Sequence, residues 1–320
     1  MITIDHYPAL EIQKIHHINE KVTLSGISSG AYMAGQFHLS HSKLVSGVAL
    51  FAGGPYYCSQ SSVYKAMKLC MEEENLTIDT EDLLDEVNDL ADRNDIDPIS
   101  NLANDKVLII NGKRDKTVRE RVSQSAVNLY KKLGVTKIDY VNKLDIAHTF
   151  PTLKNGNDCS QPSSSPYISA CNIDGAKLAL NKFYNLKHGR SEAQMDRFFQ
   201  IDQWALTPSS FYFMARHATA YVPKSCETNN CDLHVSFHGC KQTRLDIGDL
   251  FFKEVGLAEW AEKNNIIVLF PQTLPNFIGL SNPNGCWDWW GYSGPNFHNK
   301  LGPQIKSIYN LVLELISNTK

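Results

Sequence analysis

The sequence predicts an α/β fold, a mostly parallel sheet flanked by helices, from three observations. Short β-branched runs recur along the chain, helical stretches separate them, and the runs exit into glycine-rich turns. A chain of 320 residues is long enough for one large α/β domain or two smaller ones. The net charge of -3 and scattered Lys and Arg give no basic stripe, so nucleic acid is not an expected partner. No apolar run is long enough to cross a bilayer.

The first run, Lys21 to Phe37 (KVTLSGISSGAYMAGQF), breaks at Gly26-Ile27-Ser28-Ser29-Gly30 and resumes as a small-residue helix. This G-x-S-x-G pattern is an elbow: Ser28 sits on a tight strand-to-helix turn, and glycine at the flanks avoids clashes with the strained backbone. The Ser29 N–H then lies at a helix N-terminus, where it can stabilise an oxyanion. The five-letter pattern is common, so its surroundings decide its meaning. Ala31 to Ser42 continues as helix and Leu44 to Gly54 reads as a buried strand. Residues 55–105 change texture to acidic amphipathic stretches, Ala66 to Glu74 and Thr80 to Arg93, with Asp79 or Thr80 capping the second. They read as a helical insertion forming a side flap.

Lys106 to Asn111 (KVLIIN) is the next strand and places Asp115 in the loop just past its end. Glu120 to Gly134 is a helix, Lys137 to Asn142 a strand, and His148 again lies just beyond it. Ala176 to Tyr184 is a helix, and Leu186 to Arg197 an exposed connector. The second half brings strands at His217 to Val222 and Leu233 to His238, flanking the turn Pro223 to Asp232. Then follow a helix, Phe251 to Asn264, a strand, Ile266 to Phe270, and an aromatic, glycine-rich loop from Leu280 to Pro295. A closing amphipathic helix runs from Gln304 to Ser317.

Acyl transfer at a serine needs a base, an acid to orient the base, and N–H donors for the oxyanion. Ser28, Asp115 and His148 each follow a strand, in the chain order of an α/β-hydrolase. Asp145 competes with Asp115, but its loop would have to fold back to reach the imidazole. Ser29 sits off the elbow's central position. His238 lies beside the loop His238-Gly239-Cys240 and is placed to shape it. An H-G-x oxyanion loop ordinarily precedes the nucleophile, whereas here it follows the whole triad. Moving the second half to the front restores the standard order, so a circularly permuted α/β-hydrolase is expected. Permutation requires close termini, with Lys320 near the start of the nucleophile strand. A single catalytic unit over 1–320 is therefore expected: 1–186 carry nucleophile, acid and base, and 198–320 carry the oxyanion and aromatic loops. Two separate domains are the alternative, but the second half has too few strands for its own sheet.

The eight cysteines group locally as Cys58 with Cys70, Cys159 with Cys171, and Cys226 with Cys231, leaving Cys240 for Cys286. Eight reduced thiols are the other reading; zinc is disfavoured because no C-x-x-C pair occurs. Disulfides imply an oxidising compartment, secreted or periplasmic. The opening MITIDHYPAL lacks a basic n-region and apolar h-region, so a removed export signal or another export route is expected.

The elbow GISSGAYMAGQF, the acid loop NGKRDKTV, the histidine loop AHTFP, SFHGCKQT and NPNGCWDWWGY together resemble extracellular poly(3-hydroxybutyrate) depolymerases of the circularly permuted, single-domain type. The resemblance spans nearly the whole chain. It implies a triad of Ser28, Asp115 and His148, with oxyanion donors from the Ser29 and Cys240 N–H groups. It also implies a Cys240 to Cys286 bridge and a crevice where Asn284 and Trp289 contact polymer. An apolar polyester suits a cleft walled by aromatics, for which Trp287, Trp289, Trp290 and Tyr292 are candidates. Trp287, beside Cys286, is expected to be buried instead. No granule-binding module or Ser/Thr-rich linker is seen, so strong adsorption to crystalline polymer is not expected.

The expected activity is serine esterase, without metal or organic cofactor, on a polyester or hydroxyalkanoate oligomer, by a monomer. A carboxylesterase on feruloyl, acetyl or aryl esters is the alternative, and a non-catalytic binder on a hydrolase scaffold the second.

Overall fold

The computed structural model describes residues 5–73, 75–206, 213–277 and 281–317. Glu74, Leu280 and Lys320, which the sequence places at the ends of a helix, a loop and the chain, lie outside them. Both halves of the chain feed one eight-stranded sheet. Its strands are β1 (His17–Ile27), β2 (Val45–Phe51), β3 (Lys106–Gly112), β4 (Lys137–Leu144), β8 (Phe198–Asp202), β9 (His217–Tyr221), β10 (Asn230–Phe237) and β11 (Ile266–Phe270). A separate three-stranded sheet, absent from the sequence-based expectations, joins β5 (Phe150–Thr152), β6 (Asn157–Asp158) and β7 (Ile168–Ala170).

The strand order is β4-β3-β2-β1-β10-β11-β9-β8. The pairs from β4 through to β11 are parallel, and β9 and β8 are antiparallel additions at one edge. Read from β8 with the chain's end joined to its beginning, the strands follow the unpermuted α/β-hydrolase sequence. The nucleophile strand β1 thus sits at the seam, paired to β2 from its own half and to β10 from the other.

The parallel strands read as continuous apolar runs because both faces are covered. Val107 and Ile109 face one apolar cluster, Leu108 and Ile110 the other; Ile267 and Leu269 alternate with Ile266, Val268 and Phe270 in the same way. The helices Ser29–Ser40 and Pro303–Ser317 cover the first face. Gly175–Tyr184 and the helices after β10 cover the second.

Both strands expected around the Cys226 turn are present, as β9 and β10, with β11 between them in the sheet. Two expectations are corrected. The helix expected over Phe251 to Asn264 is two short ones, Leu250–Glu254 and Leu257–Ala261, because Gly256 between them has φ 86°. The first insertion helix starts at Val63, with the Ser62 hydroxyl accepting the Lys65 N–H, and widens into a π turn at Lys68–Glu72. All four cysteine pairs are bridged: Cys58–Cys70, Cys159–Cys171, Cys226–Cys231 and Cys240–Cys286.

Candidate active site

At the C-terminal end of β1 the backbone of Ser28 adopts φ 56° and ψ -123°, a strained conformation for a residue with a side chain. The Ser28 N–H donates to the Phe51 carbonyl (2.9 Å), and the Ser28 carbonyl accepts from Ala31 and Tyr32 (2.9 and 3.1 Å), which locks the turn. Both flanking glycines are sterically required. A Cβ on Gly26 would stand 2.1 Å from the Gly30 oxygen, and one on Gly30 would stand 2.3 Å from the oxygens of Phe237 and His238. Ser29 opens the following helix, where an amide N–H has no i−4 carbonyl to satisfy it.

Past β3, Asp115 is buried and uses both carboxylate oxygens. Oδ1 accepts the Thr117 and Val118 N–H groups (2.8 and 2.9 Å), and Oδ2 is 2.8 Å from His148 Nδ1. The loop therefore fixes the carboxylate before it meets the imidazole. Asp145 is drawn elsewhere: its exposed carboxylate pairs with Arg114 Nε at 2.9 Å.

The loop after β10 carries the other sequence-predicted donor, Cys240. Gly239 packs against Ser28, so closely that a Cβ on it would stand 3.3 Å from the Ser28 Cβ. Around Cys240 the Gly239 N–H donates to Gln242 Oε1 (2.6 Å), and the Lys241 N–H donates to the Asn284 carbonyl (2.7 Å). The Cys240–Cys286 bridge then ties this loop to the aromatic loop. His238 is fully buried, which lowers its pKa to about 4, so its ring is neutral. Its Nε2 accepts from the Thr273 N–H (3.3 Å), leaving Nδ1 to donate to the Gly239 carbonyl (2.8 Å).

The aromatic loop is organised by Asp288, whose importance the sequence did not reveal. Its Oδ1 accepts from the amides of Trp290, Gly291 and Tyr292, and its Oδ2 from the amide and hydroxyl of Ser293, at 2.6–3.2 Å. Burial raises its pKa, against which the bonds from Ser293, Gly291 and Tyr292 act. Trp287 is wholly buried, packed edge-on against Phe237.

Ser28, His148, Cys240, Asn284, Trp289 and Trp290 all line one cleft of about 670 Å³. Asn284 is exposed and Trp290 half-buried. Trp289 departs from the expected open aromatic wall: although it lines the cleft, it is only 5% exposed and stacked on Tyr32 at 4.2 Å. The insertion supplies the wall that the sequence did not foretell, with Val63, Ala66, Met67 and Met71 lining the cleft. The signal was present as apolar residues on one side of a short amphipathic helix, but nothing local tells which cavity such a face borders.

No protein-family model matches the chain. Comparison with curated proteins finds 36% identity over 320 residues to the poly(3-hydroxybutyrate) depolymerase of Delftia acidovorans, across 98% of this chain. The chain spans 62% of the length of that relative. It is 35% identical over 317 residues to the polyhydroxybutyrate depolymerase of Talaromyces funiculosus, across 92% of this chain and 89% of the other. Among solved structures, a PHB depolymerase variant complexed with an R3HB trimer superposes with a TM-score of 0.86 at 32% identity, across 99% of this chain and 100% of that one. Identity of this extent, along nearly the whole chain and on a shared backbone, places this chain in the poly(3-hydroxybutyrate) depolymerase family, carboxylic ester hydrolases of α/β-hydrolase fold.

Proposed function

We propose that the chain is a serine esterase that hydrolyses poly(3-hydroxybutyrate) or its oligomers through an acyl-enzyme. The observation that carries this reading is the Asp115–His148 hydrogen bond at 2.8 Å, in one cleft with a serine on a strained elbow. With Nδ1 committed to Asp115, His148 has Nε2 left to take the Ser28 proton as Oγ attacks the ester carbonyl. The Ser29 and Cys240 N–H groups stabilise the oxyanion of the tetrahedral intermediate. His148 then protonates the departing alkoxide, and water, activated by the same imidazole, releases the hydroxy acid from Ser28. Side chains and water suffice for these steps.

An oligomeric ester fits the cleft. Its apolar lining, with Val63, Met67 and Trp290, suits a chain of short hydroxyalkanoate units, and the solved relative holds an R3HB trimer. We assign substrate contacts to Asn284, to the half-buried ring of Trp290 and to Trp289. The triad and these cleft-lining residues all come from one chain, and we assign the activity to the monomer. Four disulfides support work in an oxidising compartment, reached by export.

Release of 3-hydroxybutyrate from oligomers and polymer films, measured beside release of ferulate from feruloyl esters, tests the substrate class. Ser28→Ala is expected to abolish hydrolysis with the fold intact by circular dichroism. Retained turnover would overturn the mechanism.

A further inference from the structure

Gln242 lies two residues beyond Cys240 and is only 1% exposed, although it borders the cleft. Its side-chain amide is used at both ends. Oε1 accepts the Gly239 N–H at 2.6 Å, while Nε2 donates to the Pro166 carbonyl at 2.8 Å and approaches that of Tyr167 at 3.4 Å. The Tyr167 carbonyl in turn accepts the Phe150 N–H at 2.9 Å, two residues from His148. Next to His148, the Thr149 hydroxyl is 2.8 Å from that of Ser169 on the same small sheet. One buried amide therefore joins the loop after β10 to the segment that holds the imidazole.

We infer that Gln242 is a positioning residue that sets the Cys240 N–H and His148 relative to one another across Ser28. The inference rests on the esterase reading above. The geometry demands a side chain that carries both an acceptor and a donor. Gly239 presents a donor and the 166–167 backbone presents acceptors, so the residue between them must accept on one side and donate on the other. A residue that satisfies only one side leaves a buried polar group unpaired and lets the two loops move independently. Because both loops act on the transition state, the loss is expected in kcat more than in KM.

The test uses the full chain with p-nitrophenyl butyrate. Gln242→Met, close in shape but without either hydrogen bond, is expected to lower kcat on the order of a hundredfold, as when an oxyanion donor is displaced, with KM changed less than about twofold. Gln242→Glu separates positioning from general packing. Its protonated carboxyl accepts from Gly239 and donates to Pro166, whereas the ionised form cannot donate. The ratio of its kcat to that of wild type is expected to rise as pH falls, whereas the ratio for Gln242→Met stays flat. Thermal melts establish that each variant is folded, and if Gln242→Met does not fold the Gln242→Glu ratio decides. A Gln242→Met kcat near wild type, a loss confined to KM, or a Gln242→Glu ratio that is both flat and as low as that of Gln242→Met overturns the inference. A wild-type chain that neither hydrolyses ester nor reacts with a fluorophosphonate removes the esterase reading and the clamp together. A wild type that does both, beside an undiminished Gln242→Met, removes the clamp alone.

Discussion

At Gly30 the two halves of the chain meet backbone to backbone. The Phe237 and His238 carbonyl oxygens would stand 2.3 Å from any Cβ there, and neither belongs to a flexible side chain that can yield. Gly30→Ala is expected to cost about 1–3 kcal/mol, the range for overpacking, and to push the loop after β10 away from Ser28. Denaturant midpoints and kcat should fall together; an unchanged kcat in a folded variant would show that the loop tolerates the shift. The elbow was legible from its five letters and the strand and helix around them, and the demand at Gly26, set by the Gly30 carbonyl, is local to the chain; the demand at Gly30, set by Phe237 and His238, was not legible. Asp115 was legible for a related reason: a carboxylate just past a strand end lies on the functional edge of the sheet. Gln242 and Asp288 were not, since each acquires its role from partners brought to it by folding. Gln242 reads as one more polar loop residue until Pro166 and Tyr167 arrive from elsewhere in the chain.

The aromatic loop, as an element, holds its shape through Asp288 more than through its tryptophans. Five donors from four consecutive residues converge on one buried carboxylate. In Asp288→Asn one oxygen becomes an NH₂ that faces the Ser293 donors or the amide cluster, so a buried donor loses its acceptor at about 1–3 kcal/mol. Thermal melts should register that loss, and substrate binding should weaken as Trp290 loses its support. A variant with wild-type stability and KM would mean that the loop is held by its other contacts, the Cys240–Cys286 bridge and the bonds with Gln36, Ser59 and Gln304 among them. Among the strands, those buried on both faces were plain from continuous Val, Ile and Leu. β8 was not, because Phe198-Phe199-Gln200-Ile201-Asp202 is a short edge strand with half-buried residues, and its sequence is hard to tell from the connector before it. The break at Gly256 was hidden for the opposite reason, since the apolar pattern continues across it and only the positive φ ends the helix.

Across the whole molecule, burial has left several histidines neutral. His41 and His238 have pKa values lowered to about 4, and His234 and His298 to about 3, in each case chiefly through loss of solvent. Unfolding returns each ring to its ordinary value of 6.5, so between these limits the unfolded chain binds more protons than the folded one. Their contribution is whole above about pH 6.5 and is lost as pH falls toward 4, at about 2 kcal/mol per ring by pH 5. Urea midpoints are expected to drop steeply between pH 7 and 5, with net proton uptake on unfolding. His234→Gln, which can still bond with Thr23 and Ser25, should remove its share of that slope. A flat profile would mean that these rings are solvated or paired when folded.

The seam between β1 and β10 also sets the order in which the molecule becomes dangerous to esters. Synthesis proceeds from the N-terminus, so Ser28, Asp115 and His148 all exist well before the strand that borders β1 on its other side. Until β10 docks, β1 has a bare edge, Gly30 has no carbonyls to rest against, and the Cys240 amide is nowhere near the elbow. An unfinished chain thus carries the reactive side chains without the site that would make them productive. On the proposed mechanism, hydrolysis begins only when the late half closes onto the early one, which would make activity itself a report that assembly is complete.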